Sequence, residues 1–219
     1  MYKVFRELFD ETELITIEGL IIPSGRWINS QSISSGALKG DAYGDRVSLT
    51  NSTHPNRIPI EIRDKLMKAV VETVPDEYAF IEPWAINRYK AENKGHFYWH
   101  RDRLDYFQLL KVDMDRNISE EEIFVNNTRP QREMSVSVAL TDRSEYNGGQ
   151  FSVDNGDKRQ TPIDLDRGDV AIFDSDTYHG VDDVTEGYRD ALIVWLVHAD
   201  KFEFWKDIRE EAGMQNEWL

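Results

Sequence analysis

The chain has no cysteine among its 219 residues, which excludes disulfide staples and thiolate metal sites alike. No apolar run is long enough to span a membrane. The start, MYKVFRELFDETELITIEG, lacks the basic stretch and apolar core of a secretion signal. Positive charge is scarce: 26 Lys and Arg stand against 41 Asp and Glu, a formal net charge of −15. Phosphate backbones would be repelled, so no nucleic-acid partner is expected. Internal repeats and low-complexity tracts are absent from the sequence. A cytoplasmic protein is the expectation. Hydrophobic residues make up 40% and aromatics 11%, enough to bury a core as a single domain over residues 1–219.

Within that length, residues 1–77 read as an N-terminal extension of helix, strand and lid. YKVFRELF suggests a short helix and LITIEGLII a strand. Residues 24–57 are rich in Gly, Ser and Asn, and so long a stretch without periodicity points to a functional loop or lid. IPIEIRDKLMKAVVETV places apolar residues at helical spacing with Pro59 near its start, as an amphipathic helix does. Over residues 78–199 the character changes to short aromatic and β-branched segments: YAFIEPWAINRYK, GHFYWHRD, REMSVSVALT, QFSVD, TPIDL, DVAIF, YHGVDDV and RDALIVWLVH. Turn signals separate many of them, at Asn147-Gly148-Gly149, Asn155-Gly156, Gly168-Asp169 and Gly187. The pattern predicts a mainly β fold with flanking helices, a double-stranded β-helix (jelly roll, cupin-like). Residues 200–219 read as a closing helix with Gly213 as its C-cap.

Four dispersed polar residues carry the chemistry: His100-x-Asp102, then His179, then Arg189. On a strand, residues i and i+2 share a face, so an extended YWHRD projects His100 and Asp102 together. That spacing alone is weak, because H-x-D is expected by chance about half a time in such a chain. His179 and Arg189 add specificity, on neighbouring strands joined at Thr185-Glu186-Gly187. Two imidazoles and one carboxylate form the facial triad of non-haem Fe(II) sites, with positions left open for other ligands. An arginine facing the same cavity would bind a carboxylate bidentately, a contact worth roughly 1.5–3 kcal/mol. The structural alternatives are a surface His-Arg-Asp cluster and an arginine paired with a local acid. Asp174 and Asp176 either hydrogen-bond a ligating imidazole or form a solvated acidic turn. His96 and His198 read as structural, while Phe97, Tyr98, Trp99 and Tyr106 line a pocket or belong to the core.

These residues lie in three ordered stretches: INRYKAENKGHFYWHRD, REMSVSVALTDRSEYNGGQFSVDNG and LDRGDVAIFDSDTYHGVDDVTEGYRDALIVWL. Across 86–199 the chain resembles the prolyl-4-hydroxylase-like family of Fe(II)/2-oxoglutarate dioxygenases, including its bacterial PKHD-type hydroxylases. The resemblance implies that His100, Asp102 and His179 are the iron ligands and that Arg189 binds 2-oxoglutarate. It also puts Tyr89 in the co-substrate pocket and Trp195 beside the co-substrate. Two features depart from the family. The segment between Asp102 and Arg132 is long, and Ala139 stands where several relatives have a tyrosine for the distal carboxylate. Ser135 or Ser137 would supply that hydroxyl, since alternation puts Ser135, Ser137 and Ala139 on one face; tight packing is the other reading of those small residues.

What the resemblance implies is an oxygenase using Fe(II), 2-oxoglutarate and O₂. It would hydroxylate an unactivated C–H bond and release succinate and CO₂. The expected substrate is peptidyl proline or a related amino-acid side chain. The alternatives are a free amino acid or other small molecule, a jelly roll that binds metal or 2-oxoglutarate without turnover, and a cupin-like metalloenzyme that does not use 2-oxoglutarate.

Overall fold

A computed structural model describes residues 2–24, 27–30, 46–80, 82–103, 130–154, 156 and 160–211. The strands of the first half are β1 (Tyr2–Phe5), β2 (Ile28–Ser30), β3 (Arg46–Thr53), β4 (Tyr78–Phe80), β5 (Trp84–Lys90) and β6 (His96–His100). In the second half come β7 (Met134–Ala139), β8 (Asn147–Gly148), β9 (Phe151–Asp154), β10 (Gln160–Ile163) and β11 (Val170–Asp174). They are followed by β12 (His179–Val181), β13 (Val184–Glu186) and β14 (Tyr188–His198). Three α-helices accompany them among the described residues: α1 (Glu11–Ile21), α2 (Ile60–Thr73) and α3 (Ala199–Glu211). None is long and apolar enough to cross a membrane.

The main sheet runs in the order β1-β11-β7-β14-β5-β3-β6-β12-β9-β10, with antiparallel neighbours throughout. Strand β3 joins its two halves: Leu49–Thr53 pair with β5, while Arg46 and Val47 pair with β6. The sheet curls around this strand, so residues from both halves line one cavity. This is the jelly roll expected from the short alternating strands. β8 and β13 form a separate two-stranded ribbon.

Period-two alternation sorts the side chains of the larger half. Val136 and Val138 of β7, Val170 and Ile172 of β11, and Leu192, Val194 and Leu196 of β14 face one way. They pack against Leu14, Ile17 and Ile21 of α1 and Ile62, Leu66 and Val70 of α2. These helix positions recur at i, i+3 or i+4 and i+7 or i+8, the spacing that gives a helix one apolar stripe. The intervening residues, Ser135 and Ser137 on β7 and Arg189, Ile193 and Trp195 on β14, lie on the opposite, cavity-facing side. The helices thus bury the outer face and leave a polar-lined inner one.

The N-terminal expectations are corrected. YKVFRELF is not a helix: Tyr2–Phe5 is an edge strand paired with β11, a partner some 170 residues distant in sequence and so outside any local pattern. LITIEGLII is not a strand, because helix α1 begins with a reciprocal capping box. Asp10 Oδ1 accepts from the Glu13 N–H at 2.9 Å, and Glu13 Oε2 accepts from the Asp10 N–H at 2.9 Å. The capping box and the apolar spacing together override the β-branched composition. Within 24–57, residues 28–30 and 46–53 are strands rather than a lid; residues 25–26 and 31–45 lie outside the described set. The helix over IPIEIRDKLMKAVVETV is present as α2; of the helix read over 200–219, α3 accounts for the part up to Glu211, and residues 212–219, with Gly213, lie outside the described residues.

Candidate active site

His100 ends β6 and His179 begins β12, and the two are directly opposed in the antiparallel pair. Asp102 follows His100 by two residues, and its backbone N–H donates to Ser175 O at 3.0 Å. All three side chains are buried. One potential donor atom from each lies within 4.8 Å of the others, and this is the cluster of metal-ligand type found among the described residues.

The tautomers follow from the hydrogen bonds. His100 Nδ1 lies 2.8 Å from Tyr98 O, and His179 Nδ1 lies 2.9 Å from Thr177 O. A carbonyl can only accept, so both Nδ1 atoms carry the proton and both Nε2 atoms present lone pairs. Those Nε2 atoms converge on the carboxylate: His100 Nε2 is 3.7 Å from Asp102 Oδ1, and His179 Nε2 is 3.5 Å from Oδ2. An ion about 2.1 Å from each of two donors at a right angle would hold them about 3 Å apart. A small contraction of the triad would therefore fit a first-row divalent ion.

The electrostatics agree. Burial, reinforced by the charge of His179, pushes His100 down to about 3, so its imidazole is neutral near pH 7. Burial alone would raise Asp102, but His179, His100 and Arg132 outweigh it and carry the carboxyl down to about 2. A neutral imidazole and an ionised carboxylate are the forms that bind a metal.

Ser135 was expected to offer its hydroxyl to a co-substrate carboxylate near Arg189; the structure corrects this. Ser135 Oγ donates to Asp102 Oδ2 at 2.7 Å. In register, Ser135 is level with Trp195, six positions from Arg189 on β14. At about 3.3 Å per residue that is roughly 20 Å along the strand, too far for the two to share one carboxylate. Ser135 has one proton, already given to Asp102, so its 2.8 Å contact with Ser175 Oγ must have Ser175 as donor. Ser175 escaped the sequence reading, because nothing in DSDTYH distinguishes it from a turn serine.

Arg189 is 3% exposed and makes no hydrogen bond or ion pair among the described residues. Its guanidinium carbon lies 5.6 Å from the centre of the Tyr89 ring, and the two residues are directly opposed on β14 and β5. Gly149 supports this placement: it adopts φ +60°, and a Cβ there would come within 3.3 Å of Arg189 Cδ. Trp195 also lines the cavity, with the Arg132 guanidinium carbon 3.6 Å from the ring centre. Its buried indole N–H helps depress the Asp102 carboxyl but lacks ordinary hydrogen-bond geometry to any acceptor. Phe97 stacks on His100 with ring centres 3.4 Å apart.

The remaining candidates fall elsewhere. Asp174 and Asp176 do not hold His179; Asp174 caps the Asp176 N–H, and Asp176 meets Arg101 and Arg103. His198 stacks on Tyr78 and faces Asp76, and His96 stacks on Tyr98. Tyr106 lies outside the described residues.

Residues 84–197 match the sequence model of the 2OG-Fe(II) oxygenase superfamily. A PKHD-type hydroxylase of Synechococcus sp. (strain CC9311) is 33% identical over 64 residues, 29% of this chain and 29% of that protein. The first relatives are matched over only 28–34% of their own length. A PKHD-type hydroxylase of Verminephrobacter eiseniae (strain EF01-2) is 24% identical over 198 residues, covering 90% of this chain and 78% of that one. Among solved structures, the viral collagen prolyl hydroxylase of Paramecium Bursaria Chlorella virus-1 superposes with a TM-score of 0.59 at 19% identity, covering 90% of this chain and 96% of that chain. A Pseudomonas putida prolyl-4-hydroxylase gives 0.59 at 11% identity, covering 90% and 92%. At such identities the structures establish the shared fold.

Proposed function

The chain belongs to the 2OG-Fe(II) oxygenase superfamily, and from that premise we propose that it hydroxylates a C–H bond of a prolyl residue or a related amino-acid side chain. The overall reaction converts substrate C–H, 2-oxoglutarate and O₂ into C–OH, succinate and CO₂. One observation carries the reading. A buried, unpaired guanidinium shares a cavity with two imidazoles locked in the metal-binding tautomer and a buried carboxylate. A guanidinium held at a cavity wall with no acceptor among the described residues favours an anionic ligand.

In this reading His100, Asp102 and His179 hold Fe(II), and Arg189 pairs with the distal carboxylate of 2-oxoglutarate beside Tyr89. When bound, the iron activates O₂ and couples 2-oxoglutarate decarboxylation to C–H oxidation. The chain's own residues do the rest. Tyr98 O and Thr177 O fix the imidazole planes, and Ser135 and Ser175 orient Asp102. Phe97, Phe151, Phe173 and Trp195 wall the cavity and exclude water from it. We take residues 1–219 as one oxygenase domain, because β1 and β3 belong to the sheet that bears the site. A cytoplasmic setting, where ferrous iron stays reduced, belongs to the same proposal.

The proline preference draws on the relatives and structural neighbours, whose names are PKHD-type and prolyl hydroxylases. The test is mass spectrometry of proline-containing peptides with Fe(II), 2-oxoglutarate and O₂. A gain of one oxygen matched by succinate, and lost in His179→Ala, is expected. Iron-loaded protein that forms no succinate with any peptide or amino acid would refute the enzymatic reading.

A further inference from the structure

We infer that Arg46, at the start of β3, recognises a carboxylate on the primary substrate; this rests on the reading above, in which Arg189 is committed to the co-substrate. Arg46 lines the same cavity as the His-Asp-His cluster. Its guanidinium carbon sits 4.8 Å from the centre of the Phe97 ring, which in turn stacks on His100. Every hydrogen-bond partner of Arg46 among the described residues is neutral. Nε donates to Ser48 Oγ at 2.8 Å, and Nη2 donates to Thr50 Oγ1 at 3.0 Å and to Asn87 Oδ1 at 2.6 Å.

This arrangement is a cradle. Ser48 and Thr50 follow Arg46 at two-residue intervals on one strand face, and Asn87 approaches from β5, directly opposite Thr50. Together they hold the guanidinium by Nε and Nη2. Nη1 has no protein partner among the described residues and is not sealed from solvent. Burial draws the guanidinium below the usual arginine value although Tyr89 and Asp102 act against that shift, and no described carboxylate is hydrogen-bonded to it.

Charge balance points the same way. The described cavity lining contributes two guanidinium groups and one carboxylate. A divalent ion and a dianionic co-substrate cancel each other and leave one positive charge, which a substrate carboxylate would neutralise. Two sources share this chemistry: a free amino-acid-like acid, and an acidic side chain next to the reacting residue of a peptide. The free Nη1 prefers a carboxylate over the isosteric amide, because the anion adds charge attraction to the hydrogen bond that either oxygen can accept.

The test measures binding, not turnover. Wild type, Arg46→Gln and Arg46→Lys are loaded with Mn(II) and saturating 2-oxoglutarate, and ligands are titrated by calorimetry. One probe pair is N-acetyl-L-proline and its amide. The other is acetylated, amidated Ala-Pro-Asp-Ala and its Asn counterpart. The expected result is a preference of about tenfold or more for the acid within one pair, and the pair that shows it identifies the source. That preference should vanish in Arg46→Gln and survive in part in Arg46→Lys, with 2-oxoglutarate affinity unchanged in both. No acid preference in wild type, or a preference that persists in Arg46→Gln, overturns the inference. So does a tenfold loss of 2-oxoglutarate affinity in Arg46→Gln, which would make Arg46 a co-substrate residue. If Mn(II)-loaded wild type fails to bind 2-oxoglutarate at all, the oxygenase reading fails first, and the inference with it.

Discussion

Replacing Ser135 by alanine should weaken metal binding while leaving the fold intact. The Ser135 hydroxyl donates to Asp102 Oδ2 at 2.7 Å and is itself donated to by Ser175 at 2.8 Å. Deletion takes one charge-assisted hydrogen bond from the carboxylate, worth about 1.5–3 kcal/mol. It also strands the Ser175 hydroxyl, on a residue with no solvent exposure, at a stability cost of about 1–3 kcal/mol. The first effect frees Asp102 to rotate away from His179 Nε2, now 3.5 Å from Oδ2. Losing such a supporting contact typically costs about 10–100-fold in metal affinity. The assay is competitive titration of Co(II) or Mn(II) against a chromophoric chelator, with denaturant unfolding of the metal-free protein run alongside. Ser135→Thr, which keeps the hydroxyl, should recover most of the affinity. Equal metal affinities for wild type and Ser135→Ala would refute the idea that this hydroxyl orients a ligand.

Arg189→Ala should raise the 2-oxoglutarate requirement by about 10–100-fold, the equivalent of one bidentate charge-assisted contact, with metal affinity preserved. Steady-state succinate formation against 2-oxoglutarate concentration reads this, and an unchanged KM would count against the assignment. Acid should destabilise the metal-free protein. His100 titrates near 3 in the fold against an ordinary 6.5, so the unfolded chain binds the extra proton between those values. Stability from this group is therefore complete above about 6.5 and falls towards pH 3, by at most about 1.4 kcal/mol per unit. The depressed Asp102 adds loss at still lower pH. Urea midpoints from pH 7.5 to 4.5 test the sign, and a His100→Gln variant with the wild-type acid slope would contradict it.

Much of this was readable from the chain, and the failures have identifiable causes. The strands from Trp84 to His198 announce themselves by alternation and by Gly turns, and both ligand spacing and strand order survive in three dimensions. The triad was legible because His100 and Asp102 share one strand end, and His179 begins a strand that pairs with it. The placement of Arg189 is a correction: β12 and β14 are not neighbours, because β12 lies between β6 and β9 while β14 lies between β7 and β5, and Thr185 and Glu186 belong to β13 rather than to a turn. What was hidden depended on distant pairing. β1 finds its partner in β11, and β3 crosses between the two halves of the sheet, so Arg46 looked like loop composition rather than a cavity wall. Ser135 shows the limit of alternation. Its face was correctly read, but its height along β7 was set by register with Trp195, which no local pattern contains.

The central claim is that one cavity binds ferrous iron through His100, Asp102 and His179 and chelates 2-oxoglutarate there. The direct measurement is an anaerobic visible spectrum of the metal-free protein after Fe(II) and then 2-oxoglutarate are added. The account predicts a weak charge-transfer band that needs both additions, is absent in His179→Ala, and disappears when O₂ is admitted. No band in wild type, with Fe(II) affinity the same in His100→Ala, would contradict it.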